Sequence, residues 1–277
     1  MLKVAATRQL TERDTAAVLR ALDQDPVANC TVLARVESLG TGSRLGAELW
    51  THDEPQLSLC YSGANLIPVH GSRRALAAFA ERAGREPRMC SSLVGMAELV
   101  LPMWELLEEC WGPARDVRPC QPMLLLADAP HIAPDQLVSR VRPMELDRYL
   151  PAAVAMFTEE VGVDPSHSDG GRNYRRRVQE VIAEGRAFAR FEDGEVVFKA
   201  EVGASSTRVG QIQGVWVHPD RRGTGLASAG TAAVAASILA DGRIPTLYVN
   251  DYNTVARRVY DRVGFTQVAN FATVLLH

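Results

Sequence analysis

Two glycines stand one residue apart after a charged turn, in the stretch GVWVHPDRRGTGLASAG that runs from Gly214 to Gly230. An apolar run precedes the turn, and small residues without a helix breaker follow it. The N–H groups at the start of a helix lack intrahelical partners and carry the positive end of the helix dipole. Because glycine has no Cβ atom, an anion can approach such a main chain closely. The stretch therefore predicts a pyrophosphate site, to which Arg221 and Arg222 add positive charge.

Three kinds of phosphate-binding loop compete for this stretch. A P-loop requires GxxxxGK[ST], and the stretch contains no lysine. A Rossmann loop requires GxGxxG directly after a strand, whereas here the third position is Ser228 and a charged turn intervenes. The third pattern, Q/R-x-x-G-x-G/A, is matched by Arg222-Gly-Thr-Gly-Leu-Ala227.

A second motif follows in the order that the third pattern requires. Asn253 to Tyr260 and then Val263-Gly-Phe265 match N-x-x-A-x-x-x-Y-x-x-x-G-F. With the two motifs together, the region from Leu137 to His277 resembles the GNAT superfamily of N-acetyltransferases. The family resemblance implies that acetyl-CoA is the ligand.

The order of predicted elements in the second half is β, α, α, β, β, β, α, β, α, β, and the first half shows a similar order. A duplicated architecture follows from this pattern. We expect an α/β (α+β) GNAT fold in tandem, each copy with a mixed, mostly antiparallel sheet flanked by helices. The predicted domains are 1–130, a degenerate GNAT-like copy, and 137–277, the acetyltransferase domain. The loop of the first copy, Val69 to Arg74, has one glycine, so we expect no cofactor there.

The resemblance also implies which residues would hold acetyl-CoA. Its pantetheine arm would pair with a strand backbone, and its pyrophosphate would lie on the glycine loop, while Asn253 would bind pantetheine or cap its helix. An N–H group near Val217 would stabilise the oxyanion. The expected cofactor-binding residues are Val215, Trp216, Val217, Arg222, Gly223, Thr224, Gly225, Leu226, Ala227, Ser228, Asn253 and Tyr260.

The sequence offers candidates for the catalytic acid and base, but it leaves alternatives for both. Tyr260 lies where family members carry the acid that meets the departing thiolate, although a core tyrosine is an alternative. Strand positions where some relatives carry a glutamate hold Gln211 and Tyr248, which are poor bases at neutral pH. Glu159 and Glu160 are the candidate bases; a solvated helix end or a water chain in their place remains open.

Composition narrows the class of protein further. The 277 residues are 47% hydrophobic and 23% charged with a net charge of −3, which gives no general attraction for nucleic acid. No apolar run is long enough for a membrane span, and no signal peptide is evident at the N-terminus. Five scattered cysteines and six scattered histidines indicate reduced thiols in a cytoplasmic protein and no metal site.

The sequence therefore predicts a cytoplasmic enzyme that moves an acetyl group from acetyl-CoA to an unknown amine by direct attack. The acceptor could be a small molecule or a protein. An alternative from another class is a non-catalytic acyl-CoA-binding or scaffold module that recruits a protein partner. The absence of an obvious base favours this alternative, whereas the spacing of Asn253 and Tyr260 favours the enzyme.

Overall fold

The structure, a computed structural model, describes residues 7–167 and 170–277. The chain divides into two compact units, and each is discontinuous in sequence. The first unit contains the residues up to Leu124, together with Tyr248–Tyr252 and Gln267–His277, and the second contains Leu125–Leu247 and Asn253–Thr266. The domain limits 1–130 and 137–277 stay a prediction.

The described residues of the first half form six strands and four α-helices. The strands are β1 Arg8–Gln9, β2 Glu48–Thr51, β3 Leu59–Ser62, β4 Asn65–His70, β5 Ser92–Met96 and β6 Asp116–Leu125. The helices are α1 Thr15–Leu22, α2 Cys30–Leu39, α3 Arg73–Arg85 and α4 Ala97–Trp111.

The second half repeats this number of elements in the same order. The strands are β7 Ser139–Arg140, β8 Ala187–Glu192, β9 Glu195–Ser205, β10 Val209–Val217, β11 Ile244–Tyr248 and β12 Thr266–Leu275. The helices are α5 Leu146–Val161, α6 Arg172–Ala183, α7 Leu226–Ala240 and α8 Thr254–Val263. No helix within the described residues is long and apolar enough to cross a membrane.

The sheets of the two units share a pairing pattern. The strand order is β1-β2-β3-β4-β5-β12-β6 in the first unit and β11-β10-β9-β8-β7 in the second. An antiparallel meander, β2-β3-β4 or β8-β9-β10, leads in each case into a helix and then into a parallel partner, β5 or β11. The expected α/β fold, with a mixed, mostly antiparallel sheet in each copy, is confirmed.

The last strand of the chain lies in the first unit. β12 pairs antiparallel with β5, from Phe271 opposite Met96 to Leu275 opposite Ser92. Ala272, Val274 and Leu276 are buried in the core that α3 and α4 also cover. The local strand pattern was predicted correctly, but nothing in that pattern tells which sheet the strand joins.

Apolar faces explain the layers of each unit. In α3, Leu76, Phe79 and Ala83 recur at helical spacing, and all three are buried. In the second unit α5 and α6 share a buried cluster that includes Tyr149 and Val178. Both units therefore follow the rule that a helix buries its apolar stripe against a sheet.

α7 lies unusually close to the sheet of the second unit. A Cβ atom at Gly230 would stand 2.6 Å from the ring of Phe198, so only glycine fits at this point. The alanine-rich composition of the helix allows this approach along its length. The start of α7 is thereby held beside the end of β10.

Some predicted boundaries were wrong by several residues. The apolar run Met123–Leu126 predicts a short strand, but β6 begins at Asp116. Pro119 and Pro122 interrupt that stretch, and because proline cannot donate to a strand ladder the pattern indicated a shorter strand. The second helix begins at Cys30 and not at Val27.

Candidate functional site

The glycine loop joins β10 to α7, as expected from the sequence. Gly223 and Gly225 have φ angles of 77° and 86°, a left-handed conformation that other residues rarely adopt. Gly225 is the N-cap residue of α7; the N–H groups of Leu226 and Ala227 have no partner within the helix, whereas that of Ser228 donates to the carbonyl of Gly225 at 3.1 Å. A Cβ atom built at either glycine would meet nothing within 4 Å, so the loop faces open space.

A cavity of about 910 Å³ lies against this loop. Its wall includes the start of α7 and three arginines, Arg190, Arg221 and Arg262. It also includes Asp135, which pairs with Arg190, and Glu192, which pairs with Arg190 and Arg221. The Ser228 side chain is buried, and among the described residues its Oγ has no hydrogen-bond partner. An orphaned hydroxyl and the N–H groups at the helix start, beside the guanidinium group of Arg262, suit an anionic phosphate ligand.

The strand before the loop is bulged. Gln213 pairs with Glu201 and Trp216 with Lys199, so two residues of β10 oppose one residue of β9. Gly214, inside the bulge, has a φ of 57°. A bulge re-aims the backbone groups that follow it and interrupts regular pairing. Val215–Val217, the expected pantetheine strand, begins at this interruption.

The Glu159 carboxylate contacts two of the expected cofactor-binding residues. Its Oε1 accepts a hydrogen bond from Trp216 Nε1 at 3.0 Å, and Arg222 Nη2 donates to both of its oxygens at 3.1 and 2.8 Å. Arg222 Nε also donates to the carbonyl of Val217 at 3.1 Å. The structure thus brings Glu159 together with β10 and the glycine loop. Both oxygens of Glu159 already accept hydrogen bonds from these residues.

Glu160 and Tyr260, the other two candidate catalytic residues, interact electrostatically. Tyr260 is buried, and its burial together with the negative charge of Glu160 raises the pKa of its hydroxyl above the ordinary value. The phenol therefore stays protonated at neutral pH. A raised pKa also makes complete proton transfer less favourable, so Tyr260 is suited to hydrogen bonding with a departing sulfur.

The remaining expected residues lie around the loop and the start of α8. Asn253 is the N-cap of α8, and its side chain accepts a hydrogen bond from the backbone of Ala256 at 3.0 Å. The Thr224 hydroxyl donates to the carbonyl of Arg221 at 2.7 Å. Leu226 is buried and Ala227 is half-buried. The cap role of Asn253 leaves its amide N–H groups for other contacts.

The sequence did not point to a buried charged pair beneath β10. Lys199 Nζ donates to Glu201 Oε1 at 2.7 Å, and Tyr149 donates to the same oxygen at 3.2 Å. Arg177 lies 3.8 Å from Glu201 Oε2. Alternation along VVFKAEV indicates a strand with one solvent-facing side, and only the packing of α5 reveals that this side is covered.

Two family models match the chain. One, described as FR47-like protein, matches residues 200–274. The other is a domain of unknown function, DUF4081, and it matches residues 47–149. A comparison with curated proteins found no match.

Solved structures share the fold at low sequence identity. A Drosophila protein is 13% identical with a TM-score of 0.68, covering 98% of this chain and 99% of its own. A GNAT-family acetyltransferase from Colwellia psychrerythraea is 11% identical with a TM-score of 0.57, over 98% and 99%. A tandem GNAT protein from the clavulanic acid biosynthesis pathway is 15% identical with a TM-score of 0.50, over 97% and 98%.

These similarities agree with the two motifs and the repeated element order. The FR47-like match covers the glycine loop and the helix that carries Tyr260. The fold similarities extend over both halves of the chain. The chain therefore has the fold of GNAT-family proteins, with the element order repeated in its two halves, as its sequence predicted.

Proposed function

We propose that the chain is an acetyl-CoA-dependent N-acetyltransferase whose site lies in the second unit. The observation that carries the proposal is the loop at the start of α7, where Gly223 and Gly225 are left-handed and a Cβ atom at either would meet open space. A pyrophosphate fits such a loop because free N–H groups and the helix dipole both favour an anion.

The residues around the loop suit the other parts of acetyl-CoA. The pairing of β10 with β11 runs from Val209 to Gln211, so on that side the backbone of Val215–Val217 is left for the pantetheine amides, in the manner of an added strand. The hydroxyl of Ser228 and the guanidinium group of Arg221 or Arg262 supply donors for phosphate oxygens. The remaining expected cofactor-binding residues keep the roles that the family resemblance implies.

The transfer step needs a base, an oxyanion site and an acid. The acceptor nitrogen bonds to the thioester carbon, its proton passes to the base, and CoA leaves as a thiolate that gains a proton. We assign the base to Glu160, because its charge acts on the hydroxyl of Tyr260, the candidate acid. Tyr260 would donate a hydrogen bond to the sulfur. The acceptor is an amine, and we keep the cytoplasmic location as a prediction.

An acceptor screen tests the proposal. The protein is incubated with acetyl-CoA and a panel of small amines, peptides and lysine-containing proteins, and mass spectrometry follows the gain of an acetyl group. We expect release of free CoA thiol in proportion to acetylated product. Binding of CoA without transfer to any acceptor would favour the alternative, a non-catalytic acyl-CoA-binding or scaffold module.

A further inference from the structure

Lys199 and Glu201 are buried more completely than other ionised pairs in the described chain. Their exposed fractions are 0% and 1%. Both belong to β9 and, two residues apart, face the same side of the sheet. The opposite side of the strand packs on α7 through Phe198, so the pair lies on the side that α5 covers.

The ammonium group lies directly beneath the bulge in β10. Lys199 is paired with Trp216, the first regular position after the bulge. A Cβ atom built at Gly214 would stand 3.2 Å from Lys199 Nζ. The positive end of the pair is therefore the part nearest to the strand that would hold the acyl group.

A buried ion pair is seldom the most stable choice for a core position. Desolvation of a buried ion pair commonly outweighs the attraction between its charges, and well-packed apolar residues are often as stable or more so. Burial lowers the pKa of Lys199, and the Glu201 carboxylate offsets only part of this effect. In addition, Glu201 Oε2 has no hydrogen-bond donor among the described residues. Stability alone does not account for the choice of these residues.

We propose that Lys199 is an electrostatic positioning residue for acetyl transfer, held by Glu201 beneath the bulge so that its charge stabilises the oxyanion. The inference rests on the proposed function. As the acceptor nitrogen bonds to the thioester carbon, the carbonyl electron pair moves to oxygen; it returns when the carbon–sulfur bond breaks. Lys199 stays protonated throughout and gives up no proton. Preorganised charge of this kind is effective because no solvent must reorient during the reaction.

Two variants separate this role from a structural one. Lys199→Met with Glu201→Met removes both charges and should keep the folded stability and the affinity for CoA. Its kcat should fall by roughly 10- to 100-fold, less than the loss of a direct oxyanion donor causes. Glu201→Gln keeps the ammonium but leaves it unpaired, so stability should fall while kcat is largely retained at low temperature.

Stability is measured by denaturant unfolding, affinity by calorimetry with CoA, and kcat with a working acceptor. Removal of the exposed pair Arg140–Asp241, whose atoms are 2.9 Å apart, is the matched control and should leave kcat unchanged. Should the double methionine variant not fold, Lys199→Gln with Glu201→Gln removes both charges while keeping polar groups.

The outcomes are distinct. If kcat follows stability in every variant, or if the charge-free variant is as active as the wild type, the inference is overturned and the pair is structural. A wild-type protein that transfers no acetyl group overturns the proposed function and this inference with it. Full CoA affinity together with a low kcat in the charge-free variant supports it.

Discussion

The start of α7 in the second unit and the start of α3 in the first both follow a strand with a parallel partner, but they differ in the residue at the N-cap. In α3 the Ser72 side chain caps the helix by accepting from the backbone of Ala75. A Cβ atom at the preceding Gly71 would lie 3.1 Å from Ala75, so the space is filled. In α7 the cap is Gly225, which has no side chain and faces open space.

The comparison distinguishes the elements that the fold requires from the features of the helix start that would bind a ligand. Both units keep the meander, the helix and the parallel strand, because these elements bury the apolar core. A serine at the N-cap fills the space in front of the helix and accepts from one of its N–H groups. A glycine at the N-cap, facing open space, lets an anion approach the helix start closely. The first unit thus keeps the architecture but not the open glycine loop.

The largest expected effect comes from placing a charge in the open loop. Gly225→Glu should abolish CoA binding, because its carboxylate would stand where the pyrophosphate is expected. Gly225→Ala is the control, since it adds only the left-handed strain of about 1–2 kcal/mol. Calorimetry on both folded variants measures the affinity. Unchanged affinity in the glutamate variant would remove the distinction between the two helix starts.

Tyr260→Phe tests whether the second unit is catalytic. A lost general acid typically lowers the rate by about 10²–10⁴, and the raised pKa of Tyr260 favours the lower end. The affinity for acetyl-CoA should change little. Tyr174→Phe is a matched control, since its hydroxyl donates to the carbonyl of Ala153 at 2.8 Å within the core. Steady-state turnover measures both, and wild-type turnover in Tyr260→Phe would return this residue to a packing role.

Leu276→Ala tests whether the last strand, β12, stabilises the sheet of the first unit. Leu276 is 5% exposed in the core of the first unit, and loss of a buried leucine costs about 2–5 kcal/mol. Hydrogen exchange should become faster in β5, which pairs with β12. Ile238→Ala in α7 is the control for the second unit. Unaltered exchange in β5 would mean that β12 does not support this sheet.

The smallest effect is expected at the cap of α3. Ser72→Ala removes the side-chain acceptor for the N–H group of Ala75, which costs about 1 kcal/mol. The affinity for CoA should not change, because this helix start is not expected to bind it. Denaturant unfolding and calorimetry are the two measurements. A gain or loss of CoA binding would show that the first unit takes part in it.

The glycine loop could be predicted from the sequence, because its residues form a motif within a few neighbouring positions. Gly225 ends a turn and begins a helix, and Asn253 caps another. Contacts between residues distant in the chain could not be predicted in this way: Arg222 and Glu159 are 63 residues apart. The burial of Lys199 could not be predicted either. A charged residue in an alternating strand normally faces water, and here only the packing of α5 keeps water away.

The number of CoA molecules bound per chain tests the account most directly. Calorimetric titration of the full chain with CoA gives this stoichiometry without any knowledge of the acceptor. The account predicts one molecule per chain, lost in Gly225→Glu and retained in Ser72→Ala. Two molecules per chain would contradict the contrast between the helix starts, and no binding would contradict the assignment of the loop to acetyl-CoA.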